Sequence, residues 1–505
     1  MSLNNSKEHL KRECNFTTNF ILRGIDYMAD EEKNEEELKE KTKKLSMKEG
    51  SAYSVMDGFG LRYMTPYVLA LGASNAQIGF LTSIPSLLGN FFQMFSSRVI
   101  EKYSRKKILL FGILFQLLMW IPIIIIGFFF FYKGLSSGIS SDLVILIYSI
   151  LLVFGTFVSP AWNSLIRDIV TKNSGAYFGR RNRIIGFVAL ISMLIGGFIL
   201  DYFKQTKLFL GFCILFGLAF IARAISLYLL TKHYEPELKL QKGYYFSFKQ
   251  FITRAPSNNF GKFAIFVGLM MFATAIASPF FSVYMLKELE FSYLQWILVT
   301  ISSSLASLLF MPLWGKFADK YGNLKVIQIT GALVPLVPLL WLASPIIAKI
   351  SLTILIFYLI LIEFFSGFVW SGFNLSTSNF MFDAITRERF PLCVSYFNLL
   401  NGVGIFLGAT LGGIISSMNF TVGIFSSLLF VFFLSWIFRF IVYVVMVSKI
   451  KEVRLIEEYH KGDAKKEIGE GLIKELTTGF YNAVYLPYKL IKPIKKIKFN
   501  FLLNP

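Results

Sequence analysis

Gly315-Lys316-Phe317-Ala318-Asp319-Lys320-Tyr321-Gly322-Asn323-Leu324-Lys325 joins two apolar runs, 293–314 and 326–346. Each run is long enough to cross the ~30 Å hydrocarbon core of a bilayer. Gly315 and Gly322 permit tight turns and close helix approach. Asp319 suits a helix N-terminus, where the macrodipole favours an anion. Lys320 and Lys325 stay in water near the lipid headgroups. A short basic loop of this kind is a membrane-topology signal, and the same signal recurs outward in both directions.

Apolar runs cover 51–72, 76–97, 107–131, 142–165, 184–203 and 208–230 before the loop's own half of the chain begins. They continue over 262–285, 293–314, 326–346, 352–376, 393–416 and 422–446. The expected fold class is therefore all-α, a polytopic membrane protein of about twelve transmembrane helices. Composition agrees: 55% of residues are hydrophobic and 16% charged, with mean hydropathy +0.58, whereas soluble chains run near a quarter charged. The 55 Phe reflect composition and carry no functional weight. A net charge of +20 would suggest nucleic acid in a soluble chain. Here the Lys and Arg fall in short loops, 21 on one side of the spans and 5 on the other. The richer side, with Arg98, Lys102, Arg105, Lys106 and Lys107 in one loop, is expected in the cytosol, and with it both termini. No signal peptide is expected, because the first fifty residues have no apolar core with a cleavage site. Cys14, Cys213 and Cys393 have no spacing that suggests a disulfide framework or a zinc site.

The two halves repeat at an offset of 216–218 residues. Ser97-Arg98-Val99-Ile100-Glu101-Lys102-Tyr103-Ser104 after the second span corresponds to Gly315–Gly322 after the eighth. Asn182, Gly186 and Gly196-Gly197 correspond to Asn398, Gly402 and Gly412-Gly413, and Arg223 corresponds to Arg439. A parallel repeat of six spans implies two six-helix bundles related by an axis along the membrane normal. The expected division is a cytosolic segment 1–50, a bundle 51–232, a linker 233–260, a bundle 261–448 and a basic tail 449–505.

The loop Gly315–Lys325 resembles the signature loop of the major facilitator superfamily, Gly-x-x-x-Asp-Arg/Lys-x-Gly-x-x-Arg/Lys. Arg167-Asp168 followed by Tyr177-Phe178-Gly179-Arg180-Arg181 is similar to cytosolic segments of prokaryotic members. The first-half copy departs from the pattern, with Ser97 and Ser104 for glycines and Glu101 for the aspartate. The resemblance spans roughly 51–448 and implies a transporter fold in which Glu101, Gly315, Asp319, Lys320 and Gly322 form gating loops. The alternative is a plain topogenic loop.

Five charged residues lie deep inside spans: Asp57, Arg62, Arg223, Glu363 and Arg439. An ionisable group there costs several kcal/mol by most estimates, so each needs a reason. Arg223 and Arg439 are repeat-related, which favours a structural role such as bonding carbonyls at a neighbouring helix end. Asp57, Arg62 and Glu363 have no repeat counterparts and are the candidates for substrate binding or proton coupling. Asp57 and Arg62 are five apart, about 140° around a regular helix, so no direct pair between them is expected. Glu363 sits at the centre of the tenth span, with Trp370 and Asn374 on much the same face. A structural ion pair for Asp57 and a protonated, hydrogen-bonded Glu363 are the competing readings. Neutral polar candidates for a cavity are Asn90, Gln93, Gln116, Asn163, Asn398 and Asn401, though intramembrane amides also join helices.

His9, His233 and His460 all lie outside the spans, so no imidazole relay is expected. No Ser/His/Asp or metal constellation suggests an enzyme, a cofactor or a metal. The arginine and glycine-proline motifs that the family links with drug/proton antiport are missing. Residues 30–44 read as a solvated charged helix or disorder. Leu472, Ile473, Leu476, Phe480 and Val484, followed by Lys489–Lys498, read as an interfacial segment on anionic lipid or a loose basic tail. The expected protein is a monomeric secondary transporter in the plasma membrane, moving a small solute with protons. The alternative is a receptor, sensor or lipid-handling protein of the same fold.

Overall fold

A computed structural model describes residues 34–171, 174–236, 246–386, 389–418, 420–422 and 425–454. The amphipathic tail segment, most of the linker's basic stretch and residues 30–33 lie outside the described residues. The described chain is mostly helical. Helix α1 covers 34–59 and resumes after a 3-10 turn, Leu61–Tyr63, as Met64–Ala70. There follow α2 (Asn75–Ile100), α3 (Arg105–Lys133), α4 (Ser137–Ile169), α5 (Ser174–Phe203) and α6 (Leu208–Thr231). The second half holds α7 (Asn259–Glu288), α8 (Tyr293–Tyr321), α9 (Asn323–Ala348), α10 (Leu352–Ala384), α11 (Phe390–Ser416) and α12 (Ser427–Met446). Among the described residues, 11 helices are long and apolar enough to cross a membrane, and α1 is not one of them. A two-residue antiparallel ladder, β1 (Thr421–Val422) with β2 (Phe425–Ser426), turns α11 into α12.

Residues 34–44 form a charged helix, as one of the two readings of 30–44 expected, and most of them are exposed. They form the first turns of α1, and Thr42, Ser46 and Glu49 are buried. Tyr177 Oη donates to the Lys43 carbonyl at 3.3 Å, and Tyr234 N donates to Thr42 Oγ1 at 3.1 Å. At 1.5 Å per residue the unbroken part of α1 is about 39 Å long, so it outlasts the bilayer core and docks on α5.

Four helices are discontinuous, and the breaks obey the repeat. α1 breaks at Gly60 and α7 at Ile276, while α3 breaks at Met119 and α9 at Pro335. Proline accounts for part of this. Pro122, Pro279 and Pro338 follow the breaks and supply no N–H to the preceding turn.

The halves meet mainly through two helix pairs, α2 with α11 and α5 with α8, with smaller contacts of α7 to α1 and α2. At the first crossing a Cβ on Gly413 would lie 3.2 Å from Ala76 Cα and 3.3 Å from Gly79 Cα. Only glycine lets these backbones approach so closely. On the face away from the basic loops the joint is also hydrogen-bonded. Asn75 Nδ2 donates to the Ser416 carbonyl at 2.9 Å, and Lys287 Nζ to the Ala73 carbonyl at 2.8 Å. Asp201, at the end of α5, accepts from Tyr293 N at 2.7 Å and Leu294 N at 3.0 Å, the first amides of α8.

The core has the same asymmetry. Toward that face one hydrophobic cluster runs through both halves, from Met56, Tyr63 and Trp120 to Phe280, Trp296 and Trp341. Toward the basic loops the core splits. Leu109, Leu165 and Leu230 form a first-half cluster, and Phe263, Phe373 and Phe397 belong to a second-half one.

Candidate functional site

Arg439 on α12 is 1% exposed and lies where α7 and α9 are interrupted. Pro338 leaves the Val334 carbonyl without its helical donor, and Arg439 Nη1 donates to it at 3.3 Å. Nη2 donates to the Thr274 carbonyl at 3.4 Å. The cation therefore sits at the C-terminal ends of two half-helices, where the macrodipole is negative. Beside it opens a cavity of 230 Å³. Glu363, Ser366 and Trp370 line one wall, at i, i+3 and i+7 on one face of α10. Ser278 and Ser282 of α7 and Thr300 of α8 line another. Trp341, Arg439 and Ser303 are the polar neighbours of Glu363, yet the Trp341 indole N–H completes no hydrogen bond. All the lining residues come from the second half.

Asp57 and Arg62 do not line this cavity. They occupy the break in α1, and here the structure departs from the sequence reading: Arg62 Nε donates to Asp57 Oδ2 at 3.2 Å. The 140° separation holds only along a regular helix. The 3-10 turn after Gly60 changes the angle per residue and folds the two side chains together. The Arg62 side chain is half exposed and that of Asp57 one-fifth exposed, so the pair is open on one side.

A deeper polar cluster stands next to them. The Arg223 guanidinium lies 5.1 Å over the Tyr53 ring, and Nη1 donates to Ser226 Oγ at 3.1 Å. Nη2 donates to Gln116 Oε1. Ser226 Oγ in turn donates to Glu49 Oε1 at 3.0 Å, and Glu49 pairs with Arg181 at 3.6 Å. Glu49, Arg181, Arg223 and Gln116 are all buried. Gln116 is thus tied to Arg223 inside the first half. Arg223 and Arg439 both reach from the last helix of their half toward its first and third helices, Arg223 to side chains and Arg439 to carbonyls.

The other neutral candidates divide by position. Asn398 Nδ2 donates to Gln93 Oε1 at 3.1 Å across the α2–α11 joint, and Asn90 Nδ2 bonds the Ser86 carbonyl at 2.8 Å. Asn401 Oδ1 is buried with no partner among the described residues. Asn163 and Asn374 are exposed, Asn374 one turn beyond Trp370 on α10.

In the loop Gly315–Lys325, Gly322 adopts φ +87°, a left-handed conformation that glycine takes without strain, and it separates α8 from α9. Lys320 Nζ lies 4.9 Å over the Tyr321 ring, and Gly315 packs 3.7 Å from the Leu375 side chain at the position of its missing Cβ. Asp319 pairs with Arg454 at 3.7 Å, and Arg454 Nε bonds Asp383 at 2.9 Å. Glu452 accepts from Leu324 N at 2.7 Å at the start of α9. The first half repeats the Glu cap and pairs its own acid with an arginine from the loop. Arg105 bonds Asp168, and Glu235 accepts from Lys106 N at 3.3 Å at the start of α3. Glu101 is exposed in the turn before it.

Sequence reasoning missed Glu49, Asp201, Glu235, Asp383 and Glu452, and it quoted Asp168 without giving it a partner. Glu235 and Glu452 could have been found, since they recur at the repeat offset just after the sixth and twelfth spans. Glu49 and Asp201 had no such signal, because each sits at a span edge where a charge is unremarkable.

A model of the family described as the Major Facilitator Superfamily matches residues 50–381 and 263–491. The chain is 24% identical over 290 residues to Multidrug resistance protein 2 of Bacillus subtilis (strain 168), covering 55% of this chain and 68% of that protein. Its fold is similar to a mutant of the nucleoside transporter NupG, with TM-score 0.63, 16% identity, and 81% of this chain and 100% of that one covered. It is also similar to a bacterial homologue of the iron transporter ferroportin in an inward-facing state, with TM-score 0.58, 11% identity and coverage of 82% and 98%.

Proposed function

Because the chain belongs to the Major Facilitator Superfamily, we propose that it is a secondary active transporter moving a small solute across the plasma membrane by alternating access, coupled to protons. On this reading 51–232 and 261–448 are the two bundles, the basic-loop face and both termini are cytosolic, and the chain works as a monomer. The observation that carries the reading is the asymmetry of the joint between the halves. A continuous core and the Asp201 contacts close one face, while the cores are separate at the other. A molecule sealed on one side with polar breaks at mid-depth is what one end state of an alternating carrier requires. That arrangement corresponds to an inward-facing state.

Glu363 is the proposed proton carrier and solute contact in the second half, with Trp370 beside it. Asp57 and Arg62 are the proposed first-half contributors. A paired carboxylate and guanidinium at a helix break can exchange their mutual bond for one to solute or proton as the halves move. The test is uptake into proteoliposomes under an imposed pH gradient. Asp57→Asn or Glu363→Gln should abolish proton-driven uptake while the purified protein keeps its gel-filtration profile. Unchanged coupling in both variants removes these residues from the mechanism.

A further inference from the structure

The class of solute follows from how charge is distributed around the second-half cavity, and this inference rests on the reading above that solute binds there. Glu363 and Arg439 stand on the walls of one 230 Å³ cavity but form no ion pair with each other. The Arg439 guanidinium, though 1% exposed, leaves Nε without a partner, and Thr274 Oγ1 on the same cavity wall is also unpartnered. Its two Nη contacts are long ones to carbonyls at half-helix ends, which compensate the charge only in part.

Opposite charges removed from bulk water are costly unless each meets a counter-charge with good geometry. Held apart in one cavity, the ionised carboxylate and guanidinium are satisfied together by a guest that carries both signs at separate ends. An anion would serve Arg439 and leave Glu363 facing it. An amine would do the reverse, and a polyol would neutralise neither. The size is also informative. At ~30 Å³ per water a 230 Å³ cavity has room for about seven waters, the scale of one amino acid. Phe281 and Trp370 supply apolar and π surface beside the charges, and a ring face favours an ammonium.

We propose that this cavity binds a zwitterion of α-amino-acid size, its ammonium against Glu363 and its carboxylate against the Nε edge of Arg439. The Ser278 hydroxyl, exposed on the same cavity, is placed to contact the solute as it enters.

The experiment uses the purified full-length chain in nanodiscs, with binding measured by thermal shift and calorimetry against the twenty common amino acids. For the tightest of them, the decarboxylated amine, the deaminated acid and a hexose are compared. At least one amino acid should bind, and both single-charge analogues should bind at least tenfold more weakly. Glu363→Gln should weaken the amino acid at least tenfold without weakening the deaminated acid. The analogue series on the unaltered protein needs no variant to fold. Absence of amino-acid binding overturns the proposal, as does an amine, acid or hexose that binds equally well. Counterflow in liposomes separates the two levels of inference. Amino-acid binding without counterflow keeps the site and rejects transport. Counterflow of another solute, unaffected by amino acids, keeps transport and rejects the zwitterion site.

Discussion

Asp201→Ala should open the face that the described contacts hold shut. The carboxylate receives the first two amides of α8, Tyr293 N and Leu294 N, while Ser292 Oγ takes the third from Gln295 N at 3.2 Å. Ser292 is therefore the intrahelical cap, and Asp201 is a second cap supplied by the other half of the molecule. Losing a cap of this kind costs about 1 kcal/mol, and losing an anion at the macrodipole adds roughly 0.3–1 kcal/mol. Water replaces these bonds once the face opens, so the loss falls mainly on the closed state. About 2 kcal/mol shifts the closed-to-open equilibrium by about thirtyfold, at 1.4 kcal/mol per factor of ten. Asp201→Asn keeps an acceptor and loses the charge, so its shift should be smaller. Spin labels at Lys204 and Glu290, both exposed on that face, report the separation by pulsed electron resonance once Cys14, Cys213 and Cys393 are replaced. A longer-distance population should grow in the order native, Asp201→Asn, Asp201→Ala. An unchanged distribution in Asp201→Ala would refute the assignment of Asp201 as a latch.

The Gly79–Ala409 contact gives a steric counterpart. A Cβ on Gly79 would come within 2.5 Å of the Ala409 carbonyl, so Gly79→Leu should force α2 and α11 apart at an overpacking cost of about 1–3 kcal/mol. The same labels should then report opening without any change of charge, and a native-like distribution would count against this joint as part of the seal. His233 supplies a pH test outside the membrane. It is buried with neither ring nitrogen bonded, and burial, with Lys106 and Arg181 nearby, pushes its pKa down from 6.5 to about 4. The folded state thus keeps it neutral where the unfolded chain takes up a proton. This contribution is complete above about pH 6.5 and is lost as pH falls toward about 4. Between pH 7.5 and 5 the native protein should lose about 2 kcal/mol that His233→Phe retains, measured by denaturant unfolding in detergent. Equal losses in the two proteins would show that this imidazole does not titrate as argued.

Membrane solvation made much of the fold legible in sequence. A span must be long and apolar and must satisfy its own backbone, so run lengths, loop charges and the repeat point to a helical chain of this family before any contact is known. The loop Gly315–Lys325 identified the family for the same local reason, since its turn and its charges lie within eleven consecutive residues. The same constraint singled out Asp57, Arg62, Glu363 and Arg439, because an ionisable residue inside an apolar run is conspicuous. What those residues meet was a different matter. The Asp57–Arg62 bond depends on a break that resets the helical angle, and the placing of Arg439 and Glu363 on one cavity depends on two interrupted helices beside α12. Partners of this kind are fixed by many weak packing contacts between segments remote in sequence. Tertiary structure alone therefore decided that Asn398 and Gln93 face each other at a joint, that Glu49 belongs with two buried arginines, and that Asp201 caps a helix in the other half.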